Sequence, residues 1–141
     1  METIKYKENI RKIDQENYIL TCIGTLEQKQ ITESLISVNT KQKVMTISSW
    51  HTEEKYQHHG YGTENLKEIV KNAVYCFGNP EKVKYIWNGA NEYVLEWLKD
   101  NFDARCLEDI NVIKNSVEDS WNNHIYILDT KKFLDYFIEN N

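Results

Sequence analysis

Residues 56–63, Tyr56-Gln57-His58-His59-Gly60-Tyr61-Gly62-Thr63, stand between two different hydrophobic rhythms. Ahead of them, 44–50 is rich in β-branched and aromatic residues and reads as a strand. Behind them, Leu66, Ile69, Val70, Ala73 and Val74 fall at i, i+3, i+4, i+7 and i+8, a single apolar stripe that predicts a helix over 61–76. Gly78-Asn79-Pro80 stops that helix, and 83–88 reads as the next strand. A strand, an amphipathic helix and a second strand make a right-handed crossover, which requires the two strands to run parallel in one sheet.

Outward from this unit, 4–7, 18–26 and 31–38 also read as strands, and the short links 27–30 and 39–43 predict an antiparallel meander. The stretch 9–17 is polar enough for a loop or one helical turn and too short for a packed helix. Downstream, 91–101 reads as a second helix with Val94, Trp97 and Leu98 facing inward. Residues 106–113 and 124–128 resemble hairpin arms around the polar stretch 114–123. Thr130 is placed to cap a last helix that buries Phe133, Leu134, Phe137 and Ile138. The expected architecture is an α+β (α/β) domain over 1–141. It has a mixed, mostly antiparallel sheet, a parallel central β-α-β crossover and helices on its faces.

With 141 residues the chain fits one domain and buries about 70% of its unfolded surface, so it needs no metal or disulfide staple. No apolar run approaches the roughly 20 residues of a bilayer span, and residues 1–5 lack a signal peptide's apolar core. The expected location is the cytoplasm, without membrane association. Cys22, Cys76 and Cys106 are odd in number and widely spaced, which points to reduced thiols rather than a disulfide frame or a metal site. A net charge of -5 argues against broad binding to nucleic acid and tilts the choice of partner toward a cationic acceptor such as an amine.

The start of a helix leaves its first N–H groups without intrahelical partners at the positive end of the macrodipole, and two glycines let an oxygen-rich ligand come close to the backbone. The segment 56–63 therefore fits a diphosphate. No Gly-Lys pair exists for a Walker loop, and Asn65 stands where a dinucleotide fingerprint needs a third glycine. There is no Gly-x-Ser-x-Gly elbow either.

These residues resemble the acyl-CoA loop of the GNAT N-acetyltransferases, whose pattern is Arg/Gln-x-x-Gly-x-Gly/Ala between a central strand and a long helix. Gln57, Gly60 and Gly62 match each fixed place, Tyr56 is common just ahead of them, and the similarity runs over roughly 18–128. The resemblance implies acetyl-CoA as co-substrate, with the N–H groups of His58, His59, Gly60, Tyr61, Gly62 and Thr63 around its pyrophosphate. It further implies that Ser49, Trp50 and His51 line the pantetheine arm, and that Asn88 hydrogen-bonds the pantetheine or the adenine half. The implied activity is transfer of an acetyl group to a primary amine of a small molecule or peptide.

The chain departs from the family in two places. Trp97 stands where a tyrosine commonly protonates the departing thiolate, and an indole N–H only donates a hydrogen bond. Tyr93, one turn earlier, is the substitute candidate. His51, Glu53 and Glu54 follow the central strand and are candidates for the base that frees the amine's lone pair, His51 first. The family also walls its acceptor site with two helices between its first two strands, and 9–17 is a reduced version of that region. The acceptor site is then open, or completed by 114–123 or by a second subunit in a homodimer. The alternative reading is a non-catalytic acyl-CoA-binding module that regulates or bridges a partner.

Overall fold

The computed structural model describes residues 3–87, 91–107 and 124–139. The meander is made of β1 (Lys5–Lys12), β2 (Asn17–Leu26), β3 (Lys29–Asn39) and β4 (Val44–Thr52), each antiparallel to the one before. Helix α1 (Tyr61–Phe77) then crosses over to β5 (Lys82–Trp87), which pairs parallel with β4. Helix α2 (Glu92–Phe102), the short β6 (Arg105–Cys106), β7 (His124–Leu128) and α3 (Thr130–Leu134) follow, and α3 widens into π-type turns over Asp135–Glu139. The strands lie in the order β1-β2-β3-β4-β5-β7-β6.

Residues 9–12 are not a loop: β1 continues to Lys12, and the chain reverses only over 13–16. Asp14 makes this tight turn, its carboxylate accepting the N–H groups of Glu16 and Asn17 at 2.9 Å each and the Asn17 side-chain amide at 3.0 Å. Those bonds, the Asn17 side chain first, hold the Asp14 carboxyl below its ordinary value. The polarity that looked like a loop is that of an edge strand with little to bury.

One face of the sheet carries the core. Leu20, Cys22, Ile36, Val38, Met45, Ile47, Val83, Tyr85, Tyr126 and Leu128 all point to it and pack with Leu66, Ile69, Val70 and Ala73 of α1. Leu95, Leu98 and Phe102 of α2 join the same cluster, as do Phe133, Leu134 and Phe137 at the C-terminal end. Two crossovers that advance in one direction along a sheet put their helices on one side of it. The described helices therefore share a face rather than being divided between two.

Several local expectations shift by a residue. In α2 the core-facing side chains are Leu95, Leu98 and Phe102, while Val94 and Trp97 sit half-buried at the edge of the stripe. Asp129, not Thr130, caps α3 by accepting the Lys132 N–H at 2.9 Å, and the Thr130 hydroxyl instead donates to the Glu81 carbonyl. Phe133, Leu134 and Phe137 are buried, and Ile138 packs at the margin. β6 pairs antiparallel with β7, and the remainder of the predicted hairpin, 108–123, lies outside the described residues.

Asn65 is fully buried on the core face of α1. It accepts from the Ser34 hydroxyl and donates to the Cys22 carbonyl at 3.1 Å, tying the helix to β2 and β3. Asn65→Ala strands the buried Ser34 hydroxyl and is expected to cost about 1–3 kcal/mol in urea unfolding, more than Ser34→Ala. Equal losses from the two variants would show that Asn65 matters only as packing volume.

Candidate functional site

A bulge in β4 prepares the site. Ile36 pairs with Ile47 and Leu35 with Ser49, so Ser48 is an extra residue, and a bulge bends the strand that carries it. Parallel pairing with β5 ends at Ile47 and Tyr85, although both strands continue, to Thr52 and Trp87. A slot therefore opens between them. Trp50 and Thr52 share the core face of β4 with Met45 and Ile47, whereas Ser49 and His51 alternate to the opposite face.

After Thr52 the chain makes a short turn at Glu54–Tyr56 and enters α1 through two left-handed residues, His58 at φ 66° and Gly60 at φ 86°. The first helical hydrogen bond runs from the Glu64 N–H to the Gly60 carbonyl, and no side chain caps the helix. The N–H groups of Tyr61, Gly62 and Thr63 thus point out of the helix start without an intrahelical acceptor. The Trp50 indole donates to the Gly62 carbonyl at 2.9 Å, and the Thr32 and Thr52 hydroxyls bond each other at 2.9 Å beside it.

This helix start forms one wall of a groove of about 270 Å³. Gln57, His58, Gly60, Gly62 and Thr63 line that wall, Trp50 and Thr52 the floor, and Asn91, Tyr93, Val94 and Trp97 the opposite wall on α2. Among the described residues no lysine or arginine lines it, and those residues offer neutral donors, the positive end of a helix and one imidazole. Trp50 and Trp97 meet at 5.9 Å between ring centroids, and Trp97 stands edge-on to Phe102 and Tyr136 at 5.4 and 5.7 Å. At the mouth His58 lies against Tyr93 at 5.2 Å, joining the two walls.

Among the sequence-predicted cofactor residues, Trp50, Gln57, His58, Gly60, Gly62 and Thr63 come together on the groove. Gln57 also braces the loop, its side-chain amide donating to the Thr52 carbonyl at 2.9 Å. His59 and Tyr61 pack against each other at 5.9 Å, and the Tyr61 carbonyl accepts from the Tyr6 hydroxyl. Ser49 and His51 face away from the groove, and Asn88 lies outside the described residues.

Of the four catalytic candidates, Tyr93 alone lines the groove. Partial burial holds its phenol above the ordinary value of 10, and Tyr85, buried beneath, is pushed up to about 12 by burial first and by Tyr93 second. Glu53 pairs with Lys29 at 3.3 Å, and Glu54 is exposed in the turn. His51 stands in register with Glu33 on the far face. Thr52, Asn91 and Val94 were not among the candidates. Thr52 follows from the period of two set by Trp50, and Asn91, Val94 and Trp97 recur every three residues along α2.

No family model matches the sequence, and no curated protein matches it either. Solved structures match the fold. Nourseothricin acetyltransferase superposes with a TM-score of 0.58 at 10% identity, over 81% of this chain and 65% of that one. Arabidopsis thaliana Naa50, in complex with the bisubstrate analogue CoA-Ac-MVNAL, gives 0.56 at 11% identity over 76% and 70%. PaiA N-acetyltransferase from Thermoplasma acidophilum, in complex with coenzyme A, gives 0.52 at 11% over 80% and 60%. The chain shares its fold with these acetyltransferases and with a putative acetyltransferase of the GNAT family from Desulfovibrio desulfuricans, and it spans 60–70% of the length of the first three structures.

The two loop glycines do different work. A Cβ on Gly60 meets nothing within 4 Å, and only its left-handed backbone resists substitution; a Cβ on Gly62 lies 2.8 Å from the Thr52 hydroxyl. Gly60→Ala is expected to cost about 1 kcal/mol in urea unfolding, from backbone strain alone. Gly62→Ala should cost more, and adding Thr52→Ala should restore part of the loss. No restoration in the double variant would show that the close approach of α1 to β4 does not constrain this position.

Proposed function

We propose that the chain is an acyl-CoA-dependent N-acyltransferase that moves an acetyl group from acetyl-CoA to a primary amine. The observation that carries this reading is the uncapped start of α1, with three N–H groups free of helical partners, opening on a groove beside the slot between β4 and β5. A diphosphate supplies the oxygens those N–H groups lack. An extended pantetheine chain between two parallel strands that have stopped pairing finds backbone groups that no longer have sheet partners. Naa50 and PaiA were solved with a CoA analogue and with coenzyme A, which supports the same ligand class here.

In the transfer, the lone pair of a neutral amine attacks the thioester carbonyl carbon. The C–N bond forms, the C–S bond breaks, and the proton shed by nitrogen ends on the thiolate sulfur. Positioning supplies much of the acceleration in such a reaction, with N–H donors at the carbonyl oxygen adding to it. Tyr93 is the groove's candidate proton donor because its raised phenol keeps the proton through the physiological range. His51, in register with Glu33 on the far face, is the candidate base for an amine that arrives from the far side of the slot.

Acetyl-CoA at 100 times its dissociation constant should stabilise the fold by about 2.7 kcal/mol, a rise in Tm of roughly 8 °C for a chain of this size. Gly60→Val, whose side chain would project at the mouth of the groove, should abolish that rise while remaining folded. A wild-type chain whose Tm ignores acetyl-CoA would refute the assignment.

Release of free thiol in the presence of amines tests catalysis separately. Tyr93→Phe should lower kcat at least tenfold with the acetyl-CoA shift intact. Because burial raises the Tyr93 phenol, its deprotonation should cut the rate only above pH 10, on top of the rise that deprotonating the amine gives at lower pH. A second reading, a binding module without turnover, is favoured by one arrangement: Trp97 is fixed among aromatic rings in the tyrosine's place and Glu53 is engaged by Lys29. Cofactor binding with no thiol release from a broad panel of amines and peptides would select it.

A further inference from the structure

The face of the sheet opposite the described helices has a charge that runs against the chain as a whole. Of the described strand residues alternating to that face, Lys5, Lys7, Arg11, Lys82, Lys84 and Arg105 are cationic, and only Glu33 is anionic. The whole chain nonetheless carries a net charge of -5. Its acidic excess includes Glu64 and Glu68 on α1 and Glu92, Glu96 and Asp100 on α2, on the other side of the sheet.

Edge protection explains only part of this. β1 and β6 are the edges, and basic residues there discourage pairing with another sheet. Lys84 lies on the interior strand β5, in register with Thr46 on one side and Ile127 on the other, and has no ion pair among the described residues. A half-buried lysine in the middle of a sheet face, between isoleucine and threonine, offers its charge to something that lies across that face.

The slot fixes where such an occupant meets the chemistry. Trp50 and Thr52 face the groove, while Ser49 and His51, on the same stretch of β4, reach the opposite face, bare of the described helices. From His51 the register runs through Glu33 and Ile23 to Lys7, three strand spacings or about 14 Å. An extended peptide rises about 3.3 Å per residue, so roughly four residues cover that distance.

We propose that the bare face docks an acidic polypeptide acceptor, its free amine at the slot beside Ser49 and His51 and its carboxylates about four residues further along, over Lys7 and Arg11. The proposal rests on the acyl-transfer reading for the amine's role. It reverses the expectation from net charge, because the described strand residues on the face where the acceptor enters carry six cations and one anion.

The test uses the whole chain, acetyl-CoA and three synthetic peptides with free N-termini, identical except for Glu, Gln or Lys at positions 4–6, with thiol release as readout. The Glu peptide should have a kcat/KM at least tenfold above the Gln peptide at low salt, with the advantage lost at high salt. The double variant Lys7→Glu/Arg11→Glu, on the exposed edge strand, should lose that advantage but keep the Gln-peptide rate and the Tm response to acetyl-CoA.

Equal rates for the three peptides, or a preference for Lys, would overturn the proposal. If no thiol is released at all, anisotropy of a labelled Glu peptide decides docking by itself: binding that the double variant abolishes supports the surface, and absence of binding removes it. Salt-sensitive self-association abolished by the same variant would assign the face to a second copy of the chain instead, and a mobility shift of RNA or DNA abolished by it would assign the face to nucleic acid. Either result sinks the acidic acceptor.

Discussion

Helix α1 starts directly against strand β4, and the rest of the site follows from that closeness. Gly62 is the point of contact: a methyl group there would lie 2.8 Å from the Thr52 hydroxyl, and the Gly62 carbonyl is within reach of the Trp50 indole at 2.9 Å. The approach brings the unpartnered N–H groups of the helix start to the floor laid by Trp50 and Thr52. It also fixes Trp50, whose ring then supports Trp97 across the groove. A helix that began one turn later, or stood off by the thickness of a side chain, would leave an open surface where the groove now lies. The same residue that looks like a ligand-binding glycine in the sequence is first of all a packing glycine, and Gly60 is the conformational one.

What the sequence disclosed depended on whether the signal was periodic or singular. The stripe Leu66, Ile69, Val70, Ala73 and Val74 located α1 to within a residue, because a long amphipathic pattern over-determines its own register. The loop glycines, Gln57 and Trp50 were legible for a similar reason, since their spacing from that helix is fixed by the chain. Asp14 shows the opposite case. One side chain, taking two N–H groups, turned a polar stretch into a tight hairpin, and nothing in the composition of 9–17 distinguishes that from a loop. The apolar stripe of α2 was legible but its rotation was not, since Val94 and Trp97 are as hydrophobic as Leu95 and Leu98 and only packing decides which pair is buried.

The roles given to His51, Glu53 and Glu54 illustrate a further limit. Nearness in sequence to the end of β4 placed all three beside the groove, but side chains on a strand alternate, and the Ser48 bulge resets which of them faces inward. His51 is thereby turned to the bare face, and Glu53, at the start of the turn, is held by Lys29. The bulge is invisible in a single sequence, since Ser48-Ser49 reads as an ordinary pair of strand residues. It also bends β4 where its pairing with β5 stops, so the feature that turns His51 away from the groove helps to open the slot.

Electrostatics in the groove then constrain how an anionic ligand can be held. Among the described residues no lysine or arginine lines it, so what they offer an anion is N–H dipoles and neutral donors, which are short-ranged and directional, rather than a diffuse positive field. Such a site discriminates by geometry, and its affinity should vary less with salt than one built on basic side chains. Six cationic strand residues lie instead on the opposite face of the sheet, Lys84 on β5 beside the slot and Lys7 three strand spacings from His51. Polar ligands approaching from opposite faces would therefore meet different physics, oriented dipoles on one side and side-chain charges on the other. The slot where β4 and β5 part is the place where the two arrangements can act on one bond.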